Sequence, residues 1–185
     1  HCNSHAMDFN GDGQSDLLIA TNANKTSNSI FNVTYKAYIK SGSGYVNANA
    51  SFNAMSSRGL SPMDVDGDGI LDLAPNGLSK TFTWYKTNYS TSGVVSFTAK
   101  TVNLAGANYD TSKRRDPGRW VDLNGDGLAD ILTLTLASST DNKYTWAISF
   151  NKGNNQFTSA VSTGLDELAW AGKNGPSDEI PNANG

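Results

Sequence analysis

Alternation of apolar and polar residues, not helical spacing, dominates this chain. The clearest segments run from Phe31 to Lys40, Thr81 to Asn88 and Lys143 to Phe150, each rich in aromatic and β-branched residues. Such residues at a period of two read as half-buried strands. Shorter apolar runs precede them: Leu17-Leu18-Ile19, Leu73-Ala74 and Ile131-Leu132-Thr133-Leu134. Turn signals follow at Ser41-Gly42-Ser43-Gly44, at Gly93 and at Asn151-Lys152-Gly153-Asn154. Beyond them Tyr45-Val46, Val94-Val95-Ser96-Phe97 and Gln156-Phe157 are expected to open a further strand of each hairpin. Short strands are also expected to end at Met7, Met63 and Val121. No segment makes a convincing helix. The best candidate, Leu165 to Ala171, is short and flanked by Gly164 and Gly172.

The pattern repeats. Three nine-residue windows align without gaps, beginning at Asp8, Asp64 and Asp122, so the period is 56 and then 58 residues. Asn182-Ala183-Asn184-Gly185 would open a fourth copy 60 residues after the third. Each repeat carries four strands, the content of one propeller blade. The expected fold is therefore all-β, a partial β-propeller of about three four-stranded antiparallel blades. The blades are placed at 1–55, 56–112 and 113–170, with 171–185 starting a truncated further blade. Three blades cannot close a ring, because propellers need at least about four. Further blades are expected from the parent chain or from assembled copies.

Each window has the form Asp-x-Asn/Asp-Gly-Asp-Gly-x-x-Asp. Side-chain oxygens at positions 1, 3 and 5 converge if the backbone curls tightly, and the glycines at positions 4 and 6 permit the positive φ angles this needs. The position-7 carbonyl then faces inward, and the position-9 Asp closes the shell. The candidate ligands are Asp8, Asn10, Asp12, Gln14 and Asp16; Asp64, Asp66, Asp68, Ile70 and Asp72; and Asp122, Asn124, Asp126, Leu128 and Asp130. Gln14, Ile70 and Leu128 would contribute main-chain carbonyls, so their side chains are free to differ. The donors are hard oxygens rich in charge, which suits calcium. With no His or Cys beside the windows, zinc and copper are disfavoured. An EF-hand would need a bidentate Glu at position 12, where Ile19, Pro75 and Thr133 stand, and it would need flanking helices. The expected element is a calcium hairpin between strands.

Charge sharpens this picture. Ten of the 17 acidic residues fall in the three windows, although the net charge is only −3. A mean charge of that sign argues against phosphate-driven nucleic-acid binding. No apolar run approaches the roughly 18 residues of a membrane span, so membrane insertion is not expected. The single Cys2 allows no disulfide within the chain. His1-Cys2-Asn3-Ser4-His5 is not a signal peptide, and the chain reads as a piece of something longer. His1, Cys2 and His5 are a weak metal cluster at best.

The windows, with their period, resemble the calcium loops of the FG-GAP or VCBS repeat propellers, which include the integrin α-subunit head. The resemblance implies a loop joining the first and second strands of each blade. It implies that Asp8, Asn10, Asp12, Asp16 and their counterparts are calcium ligands. The Phe-Gly and Gly-Ala-Pro signatures of integrins are absent, and Asn124-Gly125-Asp126-Gly127-Leu128-Ala129-Asp130 looks more like bacterial repeats.

The expected role is a non-catalytic binding or adhesion module of a secreted or cell-surface protein. Two alternatives are a structural propeller segment of a large toxin-complex or RHS-type protein and the propeller of a polysaccharide-active enzyme. No catalytic constellation is visible. A protein or glycan ligand is expected on loops opposite the calcium hairpins, at about 21–30, 75–80 and 137–142, and between blades at about 53–60, 103–119 and 163–175. The longest contains Lys113-Arg114-Arg115-Asp116-Pro117-Gly118-Arg119-Trp120. That run could hold an anionic partner, but packing of Arg119 and Trp120 between blades is favoured. Trp84 and Trp146 are likewise expected to pack within blades, whereas Trp170 is open to either reading.

Overall fold

The computed structural model describes residues 4–25, 31–56, 59–78, 80–106, 118–138 and 143–166. Among them are twelve strands and no helix. They form three four-stranded antiparallel sheets, each a simple meander. The first holds β1 (His5–Met7), β2 (Asp16–Lys25), β3 (Phe31–Ser41) and β4 (Gly44–Ser56). The second holds β5 (Leu60–Met63), β6 (Asp72–Pro75), β7 (Thr81–Tyr89) and β8 (Val95–Asn103). The third holds β9 (Arg119–Val121), β10 (Asp130–Ser138), β11 (Lys143–Ser149) and β12 (Val161–Asp166). This is the arrangement of partial β-propeller blades. In every sheet the nine-residue window joins the first strand to the second.

Strand alternation sends neighbouring residues to opposite faces, and the middle sheet uses both. Leu73, Tyr85 and Val95 join Leu18, Val33, Tyr35, Ala37 and Ala54 of the first sheet in one buried cluster. Phe52 is stacked on Tyr35 and lies 4.7 Å from Tyr85 between ring centroids. From the other face Ala74, Phe82, Trp84 and Val102 meet Ile131 in a second cluster. Trp120 sits edge-on to Phe82 at 5.4 Å and donates its indole N–H to Pro75 O. Trp120 thus packs between blades, as expected.

The outer faces of the end sheets differ from these seams. On the third sheet Leu132 pairs with Ile148, and Leu134 with Trp146. All four lie on the face turned away from the second sheet, beside the exposed Val161. On the first sheet, Leu17 and Ile19 occupy the corresponding outward positions with Tyr38 and Lys36.

Two expectations are corrected. Gln156-Phe157 does not open the fourth strand of the third sheet, which begins at Val161; Phe157 makes an isolated bridge to Asn151. Asn154 and Asn155 adopt positive φ of 52 and 63°, making this stretch a turn. Phe157 then packs on Phe82 and Trp120. Leu165 and Asp166, the start of the candidate helix, belong to β12, where Thr145 pairs with Asp166. Residues 167–171 lie outside the described residues, as do His1, Cys2, Lys113 to Pro117, Trp170 and the fourth-copy segment 182–185.

Strands also run further than anticipated. Residues 21–25, 53–56 and 163–166 are strand, not loop, so the connections expected to carry a ligand are shorter than the sequence suggests. Trp84 and Trp146 both lie in third strands, but two positions apart in register. Ala74 of the second sheet matches Leu132 of the third, and Leu132 pairs with Ile148. Trp84 is 1% exposed within the seam, whereas Trp146 lies on the outer face of the third sheet and is half-buried.

Candidate metal centres

The three windows fold alike, and the cause is visible in their hydrogen bonds. The position-1 carboxylate gathers the backbone of its own loop. Asp8 accepts the N–H of Gly11 at 2.7 Å and of Gly13 at 2.8 Å. Asp64 accepts Gly67 and Gly69, and Asp122 accepts Gly125 and Gly127, at 2.7 to 3.0 Å. This curl requires left-handed backbone at positions 4 and 6, and all six glycines there have φ between 73 and 85°. The position-5 carboxylate then accepts the N–H of position 7 at 2.8 Å in each loop: Asp12 from Gln14, Asp68 from Ile70 and Asp126 from Leu128.

The position-9 Asp ties loop to sheet. Asp16, Asp72 and Asp130 are fully buried. One oxygen of each accepts the N–H of position 2, from Phe9, Val65 or Leu123, at 2.9 to 3.1 Å. The other accepts a main-chain N–H from within two residues of the end of the third strand, from Lys40, Thr87 or Asn151, at 2.7 to 2.9 Å. Sequence reasoning assigned these residues a ligand role and missed this structural one. Each carboxylate oxygen has a second lone pair, so the two roles are compatible.

Geometry and charge in the second loop fit a cation. Asp64, Asp66 and Asp72 each offer an oxygen within 4.8 Å of the others. Asp66 Oδ1 is buried without a hydrogen-bond partner. Burial pushes the Asp72 carboxyl up to about 7, against the lowering effect of the Thr87 and Val65 N–H groups. Lys86 donates to Asp66 and Asp68. Burial opposes its charge, but the hydrogen bonds and negative charges of those two carboxylates outweigh it and raise its pKa. In the first and third loops Asn10 and Asn124 donate instead to Asp12 and Asp126, at 3.1 and 2.8 Å. Among the described residues three carboxylates converge only in this second loop; Asp64, Asp66 and Asp72 would hold the ion there, which would neutralise the carboxylates and stiffen the loop.

Two further residues join the second loop to the third. Leu128 Cδ2 lies 2.6 Å from where a Cβ on Gly67 would stand, so the position-7 side chain is not free of constraint in this blade. Asn151 donates to Val65 O at 2.6 Å and to Ala129 O at 3.1 Å. Asn151 stood in a run read only as a turn, and no sequence signal marked it.

Three meander sheets, packed face to face and each entered through the same Asp-Gly hairpin, define a β-propeller-like repeat. The sequence model of the FG-GAP-like repeat family matches residues 8–74, which take in the first two windows and the strands between them. The chain therefore carries an FG-GAP-like repeat, consistent with the FG-GAP/VCBS repeat family. No curated protein matches the chain in sequence.

Proposed function

We propose that the chain is a calcium-stabilised, non-catalytic propeller segment of a secreted or cell-surface protein, serving as a binding or adhesion module for a protein or glycan. One observation carries the reading. Three loops of one design stand at the same place in three successive sheets, and in the second Asp64, Asp66 and Asp72 each hold an oxygen within 4.8 Å of the others. A solvated acidic turn would not need three carboxylate oxygens held as close together as those of Asp64, Asp66 and Asp72.

The proposed location rests on the affinity typical of extracellular calcium modules. Calcium modules outside cells have dissociation constants of roughly 10⁻⁴–10⁻³ M, and sites so weak stay empty at cytosolic calcium. At about 1 mM calcium and the tighter limit, binding stabilises by about 1.4 kcal/mol per site. The outward faces of the end sheets, with Leu132, Trp146 and Ile148 on one and Leu17 and Ile19 on the other, support further blades. Those blades come from the parent chain or from assembled copies.

Thermal melts in 1 mM calcium and in EDTA test the proposal. A rise of several degrees with calcium, unmatched by magnesium, is expected. Identical melts with and without chelator would refute it.

A further inference from the structure

The second loop departs from its siblings at one ligand position. Position 3 is Asn10 in the first loop and Asn124 in the third, but Asp66 in the second. Four side-chain carboxylates therefore crowd the second loop where the others have three, and like charges at this range repel. Asn10 and Asn124 each donate an amide N–H to the position-5 carboxylate, whereas the ionised Asp66 has none to give.

Lys86 supplies what is missing. Its Nζ donates to Asp66 Oδ2, and to Asp68 Oδ2 at 2.6 Å. It stands on β7, one residue before Thr87, whose N–H binds Asp72. Lys40 and Asn151 make the equivalent bonds to Asp16 and Asp130. Ile39 and Phe150 thus occupy the place of Lys86 in the other sheets, and neither carries charge. One added carboxylate and one added ammonium leave the formal charge of the second loop equal to that of the others. The Lys86 side chain is 22% exposed, so water screens the pair only in part.

Resting on the calcium reading above, we propose that Lys86 is a tethered cation resident in the second loop. It holds Asp66 and Asp68 together when no divalent ion is bound, and calcium enters this loop in competition with the ammonium. The middle blade, which packs against both neighbours, thereby keeps its loop folded at low calcium. In the first and third loops the amides of Asn10 and Asn124 make the corresponding bond.

The test uses the full chain and the variants Lys86→Met, Lys86→Arg and Asp66→Asn/Lys86→Met. Calcium titration calorimetry and thermal melts in EDTA are the two readouts. Lys86→Met is expected to tighten calcium binding at one site by at least about tenfold, because a positive charge beside the ion is gone. It is also expected to melt several degrees lower in EDTA. Lys86→Arg keeps the charge and should follow the wild type in both. The double variant copies the Asn of the other loops, and it should recover the melting temperature in EDTA that Lys86→Met loses. Unchanged calcium affinity in Lys86→Met overturns the proposal if the wild type binds calcium. So does a double variant that melts no higher than Lys86→Met. Absence of calcium binding in every variant would sink the calcium reading alone, and the EDTA melts would still judge Lys86.

Discussion

Replacing Asn151 by Ala tests how the second and third blades are joined. The side chain is 4% exposed and makes three bonds: its Nδ2 donates to Val65 O and Ala129 O, and its Oδ1 accepts the N–H of Gly153 at 3.0 Å. Val65 lies in the second Asp-Gly loop and Ala129 in the third, so one amide bridges two blades. A typical hydrogen bond contributes about 0.5–1.5 kcal/mol net, and a buried group left without a partner costs about 1–3 kcal/mol. Alanine removes all three bonds but also relieves the amide of its ordering, so the expected loss is about 3 kcal/mol. For a chain of this size that lowers the melting temperature by roughly 6–12 °C. Asn151→Asp is the sharper variant. It keeps an acceptor for Gly153 but turns an oxygen toward two carbonyls, and it adds a charge near Asp130. Urea unfolding of the wild type and both variants gives the values. The reasoning is refuted if Asn151→Ala loses less than about 0.5 kcal/mol, or if Asn151→Asp is the more stable of the two.

Other consequences can be checked alongside. Gly118 has φ of 138°, and a Cβ there would stand 2.7 Å from Leu132 O, so Gly118→Ala should cost about 2 kcal/mol or more. Gly125, with φ of 75° and open space around it, should lose only about 1 kcal/mol on the same change, and equal losses in the two melts would contradict this. Trp84→Phe removes buried ring volume and the 2.8 Å bond from its indole N–H to Asn155. A loss of about 2–3 kcal/mol in urea unfolding is expected. In EDTA the native Asp72 carboxyl, raised from 3.8 to about 7, keeps its proton where the unfolded chain has released it. The contribution of this group to stability therefore falls as pH rises between those two values. Urea midpoints across that range should decline more steeply for the wild type than for Asp72→Asn, and parallel declines would refute the assignment.

Much of the fold was legible because it rests on local rules. First strands end at Met7, Met63 and Val121, the apolar residue that stands just before each Asp-Gly turn. The third strands β3, β7 and β11 follow the period-two pattern closely. The loops were legible for the same reason, since their glycines and carboxylates act within nine residues. What escaped was non-local. Phe157 looks like the opening of a strand, yet it turns inward because Phe82 and Trp120 of the neighbouring seam receive it. Asn151 acts across 86 residues to reach Val65, and no window of sequence contains both. Lys86 left a faint trace, since the Asp at position 66 asked for a cation that Asn10 and Asn124 did not.

Calcium titration calorimetry on the full chain, with Asp8→Ala and Asp122→Ala beside the wild type, addresses the loops as metal centres most directly. Each of these carboxylates organises one loop alone. The account predicts three calcium ions per wild-type chain and two in either variant. No calcium heat in the wild type, or the same stoichiometry in all three proteins, would contradict it.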